Sequence, residues 1–152
     1  MMRSPHMNSS KVFRLLLVED NPADVYLLRQ ALKTAGLNFE LKVIDHGGDA
    51  LHFVHNCAKV TETDKFDLAI LDLNLPGYGG LEVLTAIRQS EALADLRVVV
   101  LTSSAAPSER NQVEKLQISR FITKPPELAD FLQIGNLLKE VLIDRDHDGV
   151  HV

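Results

Sequence analysis

Three short stretches of the chain, VFRLLLV at 12–18, FDLAIL at 66–71 and LRVVVL at 96–101, are almost continuously apolar. A strand with one wet face alternates apolar and polar side chains, so strands without that alternation call for cover on both faces. Parallel sheets have that cover, because the helices that connect their strands pack on either side. FELKVI at 39–44 and RFIT at 120–123 complete five strand candidates. Helical patterns separate them. Val25, Leu28, Leu32 and Ala35 mark one apolar face, with Asn21 as N-cap, Pro22 in the first turn, Asp24 as a favourable N-terminal acid and Gly36 as the stop. Ala50, Phe53, Val54 and Cys57 mark a second helix, and Leu81, Leu84 and Ile87 a third. Ser108 to Leu116 is a fourth with few apolar anchors, and Leu128, Phe131, Leu132, Leu138 and Leu142 mark a last. The expected fold is an α/β, doubly wound, five-stranded parallel sheet with helices on both faces.

At 152 residues the chain has material for one domain with one sizeable core, placed at 12–143 between an N-terminal arm (1–11) and an acidic tail (144–152). A net charge of −5 without a Lys/Arg cluster argues against nucleic-acid binding. Cys57 is the only cysteine, which rules out an internal disulfide and suits a reducing cytoplasm. No apolar run reaches the roughly 18 residues of a membrane span. The opening MMRSPHMNSSK lacks the apolar middle of a signal peptide.

Open α/β sheets bind ligands beyond the carboxyl ends of their strands. The first strand delivers Glu19 and Asp20 there, the third Asp72, the fourth Thr102 and Ser103, and the fifth Lys124. Clustered carboxylates repel unless a cation compensates, and an all-oxygen donor set suits a hard cation such as Mg²⁺. A carboxylate can attack phosphorus to form an aspartyl phosphate, whose charge then needs Mg²⁺, Lys124 and a hydroxyl such as Thr102. Strand alternation favours Thr102 over Ser103 for that donor. Asp20 before Asn-Pro also suits a plain turn and helix cap, and Phe121 a plain core aromatic.

VEDNP, LDLNLPG, VVVLTSS and ITKP, in this order on four strand ends, resemble the receiver domain of two-component response regulators over roughly Val12 to Leu142. The strand order 2-1-3-4-5 is taken over from the flavodoxin-like doubly wound fold. The resemblance implies that Asp72 accepts a phosphoryl group from a histidine kinase, and that the chain is a signalling phosphoacceptor rather than an enzyme. It implies Mg²⁺ on Asp20, Asp72 and the backbone carbonyl of Asn74, with Glu19 acting through water. Thr102 and Phe121 would be the switch pair, and Lys124–Pro125 a cis peptide. With few residues after the last helix, the expectation is a stand-alone regulator that acts on a downstream protein or phosphotransfer partner. VEDNPADVYLLRQAL is also similar to small regulators paired with phytochrome-type photoreceptor kinases.

GYGG after Pro76 replaces residues common in the family with a pliant loop. A phosphorylation-independent pseudo-receiver and an aspartate-nucleophile phosphatase of the haloacid-dehalogenase kind are the alternatives. The second is disfavoured because Asp72 follows the third strand and is succeeded by Asn74. His52 and His55 share a helix face and read as surface residues. DRDHDG at 144–149 opens like an EF-hand loop without its twelfth-position acid, and reads as a solvated tail. Ile134, Leu137 and Val141 form a second apolar line on the last helix, from which a homodimer is expected; the alternative is that these residues also reach the core.

Overall fold

The computed structural model describes residues 11–57, 65–103 and 105–144. Strands β1 (Phe13–Val18), β2 (Phe39–Ile44), β3 (Leu68–Leu71), β4 (Val98–Thr102) and β5 (Arg120–Thr123) alternate with helices. The helices are α1 (Pro22–Thr34), α2 (Gly47–His55), α3 (Gly80–Gln89), α4 (Pro107–Glu114), α5 (Leu128–Leu132) and α6 (Ile134–Ile143). The strands form one parallel sheet in the order β2-β1-β3-β4-β5, as expected.

Every residue of β3 and β4 is buried, and alternate side chains enter two separate cores. Leu16, Val18, Ala69, Leu71, Val98 and Val100 pack with residues of α2 and α3 such as Val54, Leu84 and Ile87. Leu15, Leu17, Leu68, Ile70, Val99 and Leu101 pack with Leu28 and Leu32 of α1, Phe131 of α5 and Leu138 of α6. The continuous apolar runs are thus accounted for by burial on both faces.

Local signals fix the start and stop of α1. Asn21 Oδ1 accepts from Ala23 N at 2.9 Å, Pro22 opens the first turn, and Gly36 follows the helix at φ +82°. The fourth helix is as thinly anchored as its sequence suggests, with Val113 its one buried residue. The second is shorter than expected. It ends at His55, so Cys57 lies beyond it, half-buried against the core, and His52 and His55 are exposed.

The last helical segment corrects two expectations. It is two helices joined at Gln133, and Leu128, expected on the buried stripe, is exposed. Ile134 and Val141, expected on a free second line, are 2% and 5% exposed, and Leu137 packs against the same cluster. The cause is close approach: a Cβ at Gly135 would collide with the backbone oxygen of Ala31, so α6 lies pressed on α1 and buries a broad arc of its surface. The apolar line from which a homodimer was expected is core. Residues 1–10 of the arm and 145–152 of the tail lie outside the described residues.

Candidate phosphoacceptor and metal site

Parallel strands bring their carboxyl ends to one rim, and backbone bonds just past the strands set the register there. Asp72 N donates to Val18 O at 3.0 Å, Glu19 N to Ile44 O at 3.0 Å and Lys124 N to Thr102 O at 2.8 Å. A Cβ at Gly80 would meet Asp72 O, so α3 starts with its backbone against the strand end that carries the acid. Glu19, Asp20, Asp72, Thr102 and Lys124, chosen from sequence, are brought together at this rim.

Asp72 is buried, and both its carboxylate oxygens are engaged. Oδ1 accepts from Thr102 Oγ1 at 2.8 Å and from Asn74 N at 3.0 Å; Oδ2 accepts from Lys124 Nζ at 2.9 Å. Asn74 Nδ2 donates to Thr102 Oγ1 at 3.1 Å, which orients the hydroxyl hydrogen toward Asp72. Thr102 is fully buried and faces Asp72, as strand alternation implied, whereas Ser103 is exposed. The Lys124 ammonium also donates to Glu19 Oε1 at 2.7 Å and to Asp24 Oδ2 at 2.8 Å.

Asp24 is the residue that sequence reasoning undervalued, taking it for a helix-start acid alone. The available signal was its position in the first turn of the helix that starts just after Asp20, at the same rim. Phe121 lies half-buried on β5 with the Arg110 guanidinium 4.3 Å above its ring. The Lys124–Pro125 peptide is trans, as are all peptide bonds among the described residues, which corrects the cis expectation. The two X–Pro isomers differ by only about 0.5–1 kcal/mol, so the residue pair alone does not specify one.

Ligand oxygens of Glu19, Asp20 and Asp72 lie within 4.8 Å of one another, Asp20 exposed and the other two buried. Burial pushes the Glu19 carboxyl up to about 7, the Asp72 charge adding to the rise and the hydrogen bonds from Lys124 and Asn21 N opposing it. For Lys124 burial works downward, but the bonds to Asp24, Glu19 and Asp72 outweigh it and hold the ammonium above its usual range. Three of the four acidic side chains at this rim, Glu19, Asp24 and Asp72, thus share one ammonium. The all-oxygen donor set and the uncompensated negative charge fit a hard divalent cation.

Comparison with known proteins agrees with this geometry. Residues 15–135 match the family described as response regulator receiver domain. The response regulator Rcp1 of Synechocystis sp. is 34% identical over 131 residues, covering 86% of this chain and 88% of Rcp1. The crystal structure of the phosphorylated cyanobacterial phytochrome response regulator RcpA matches with a TM-score of 0.76 at 30% identity, covering 88% of this chain and 95% of RcpA. The Mn²⁺-bound form of Rcp1 matches with a TM-score of 0.75 at 31% identity, covering 88% and 96%. With matching sequence over most of its length, the same sheet order and the acids, hydroxyl and lysine gathered at one rim, the chain belongs to the response regulator receiver domain family.

Proposed function

We propose that Asp72 is the phosphoacceptor of a two-component pathway, loaded by a histidine kinase in a Mg²⁺-dependent reaction. The observation that carries this reading is the Asp72 carboxylate, buried at a strand end, bonded to both Thr102 and Lys124, with the oxygens of Asp20 and Glu19 beside it. A lone pair on an Asp72 carboxylate oxygen forms the new O–P bond while the P–N bond of the phosphohistidine breaks. The electron pair of that bond returns to the imidazole. Lys124 and the Thr102 hydroxyl offset the charge on the transferred group. Asp20, Asp72 and the Asn74 carbonyl would hold Mg²⁺ directly, and Glu19 through water; the ion supplies charge neutralisation to the phosphoryl oxygens. The chain is read as a signalling acceptor that turns over no substrate of its own.

Output then runs through protein contacts. Thr102 ends β4 beside Thr123 of β5, and Phe121 of β5 lies under Arg110 of α4, so a shift of the hydroxyl toward the phosphoryl group changes the surface built by β5, α4 and α6. Kinship with Rcp1 and RcpA, the latter described as a phytochrome response regulator, supports a phytochrome-type photoreceptor as the kinase.

Mass spectrometry after incubation with acetyl phosphate and Mg²⁺ tests the acceptor. One phosphoryl adduct is expected on the parent and none on Asp72→Asn or without Mg²⁺; an adduct surviving on Asp72→Asn overturns the assignment. Phosphotransfer from a panel of autophosphorylated kinases tests the partner. Phytochrome-type kinases are expected to transfer faster than the others, and equal rates across the panel count against them.

A further inference from the structure

We propose that Asp24 is a positioning residue that holds Lys124 at rest and yields it to the phosphoryl group once Asp72 is loaded. The proposal rests on the reading of Asp72 as phosphoacceptor. An ammonium has three N–H donors, and those of Lys124 are committed to Glu19, Asp24 and Asp72 at 2.7, 2.8 and 2.9 Å. Loading turns Asp72 into an acyl phosphate, whose phosphoryl oxygens take over the bond that its carboxylate made; they can accept a second N–H of Lys124 only by displacing Glu19 or Asp24.

The two remaining bonds differ in how readily they are given up. The side chain of Glu19 is 3% exposed, that of Asp24 20%. A carboxylate released next to solvent regains hydrogen bonds from water, whereas one released in the interior keeps the full desolvation cost. Asp24 is therefore the partner to be exchanged. At rest it competes with the incoming group for Lys124, and removing its charge weakens that competition.

An acid in the first turn of α1 already has a reason to be there, namely the helix N-terminus. That role does not require Oδ2 to meet an ammonium 100 residues along the chain. The test must therefore read the lysine and not stability alone.

Beryllofluoride with Mg²⁺ serves as the phosphoryl probe, titrated by calorimetry into the parent, Asp24→Asn and Asp24→Glu. Asp24→Asn is expected to bind it about five-fold tighter, with a matching rise in the acetyl phosphate labelling rate, and Asp24→Glu to stay nearer the parent. In metal-free protein, the ¹⁵N-detected ammonium signal of Lys124 is expected to be protected from solvent exchange in the parent and several-fold less so in Asp24→Asn. Unchanged or weaker beryllofluoride binding by Asp24→Asn overturns the proposal, whatever happens to stability. A parent that binds no beryllofluoride overturns the phosphoacceptor reading and the release step together. An ammonium signal equally protected in both proteins overturns the tether independently of either.

Discussion

The guanidinium of Arg110 lies 4.3 Å from the centroid of the Phe121 ring, and the same side chain pairs with Glu114 at 3.2 Å. The stack ties α4, otherwise anchored by Val113, to the aromatic on β5 that the proposed switch requires. A partly exposed cation–π contact contributes about 0.5–1 kcal/mol. Arg110→Ala is expected to lower stability to urea by about that amount, and Glu114→Gln by less than about 0.5 kcal/mol, because an exposed ion pair contributes little. If both substitutions cost the same, the ring is not what holds Arg110.

Thr102 is the hinge of a small buried network. Its hydroxyl donates to Asp72 and accepts from Asn74, so Thr102→Val strips a bond from each of two polar groups in the interior. That variant is expected to lose about 1–3 kcal/mol in urea unfolding, while Thr102→Ser, which keeps the hydroxyl, loses less than about 1 kcal/mol. Equal losses would assign the cost to the missing methyl contacts instead.

The proton on Glu19 gives the metal-free protein a pH signature. This carboxyl titrates near 4.5 when unfolded and at about 7 in the fold. Between these values the native state binds more proton than the unfolded one, so the stability contributed here falls as pH rises from about 4.5 to about 7 and levels above. After discounting for solvent screening, the fall is on the order of 1–2 kcal/mol. Urea midpoints at pH 5 and 7.5 in the presence of a chelator are expected to show it for the parent and not for Glu19→Gln; matching slopes in the two proteins would assign it to another group.

The sequence carried the sheet because three strands are apolar on both faces, a pattern that few folds satisfy. It carried Glu19, Asp20, Asp72, Thr102 and Lys124 because each directly follows or ends an apolar run. The Asp24–Lys124 bond was out of reach, since it depends on the meeting of a helix start and a strand end far apart in the chain. The choice between interface and core for Ile134 and Val141 was open in the sequence as well. Their spacing is that of a free stripe, and only the closeness of Gly135 to Ala31 turns it into core.

That closeness is itself testable. Gly135→Ala places a methyl against the Ala31 oxygen and is expected to cost about 1–3 kcal/mol, although alanine is the better helix former. Ile134→Ala is expected to cost about 2–5 kcal/mol through the cavity it leaves. Light scattering on the folded variants is expected to give the parent's mass. A change of mass with little loss of stability would restore the helix to the interface from which the core has taken it.

Lys124 balances the site electrostatically, and its removal shows what the acids need. Lys124→Met keeps most of the volume but leaves Glu19, Asp24 and Asp72 facing one another without their shared ammonium. In metal-free protein at pH 7 the cost is expected to be about 3–5 kcal/mol, the range for a buried pair broken on one side. At pH 5 it is expected to shrink, because a carboxylate can then take up a proton in place of the lost cation. Mg²⁺ supplies the missing charge, so it should raise the melting temperature of Lys124→Met more than that of the parent, where the ammonium already occupies Glu19 and Asp72. Thermal scans across a Mg²⁺ titration measure this. If the variant's melting temperature does not respond to Mg²⁺, the oxygens of Glu19, Asp20 and Asp72, though gathered within a few ångströms, do not hold the ion.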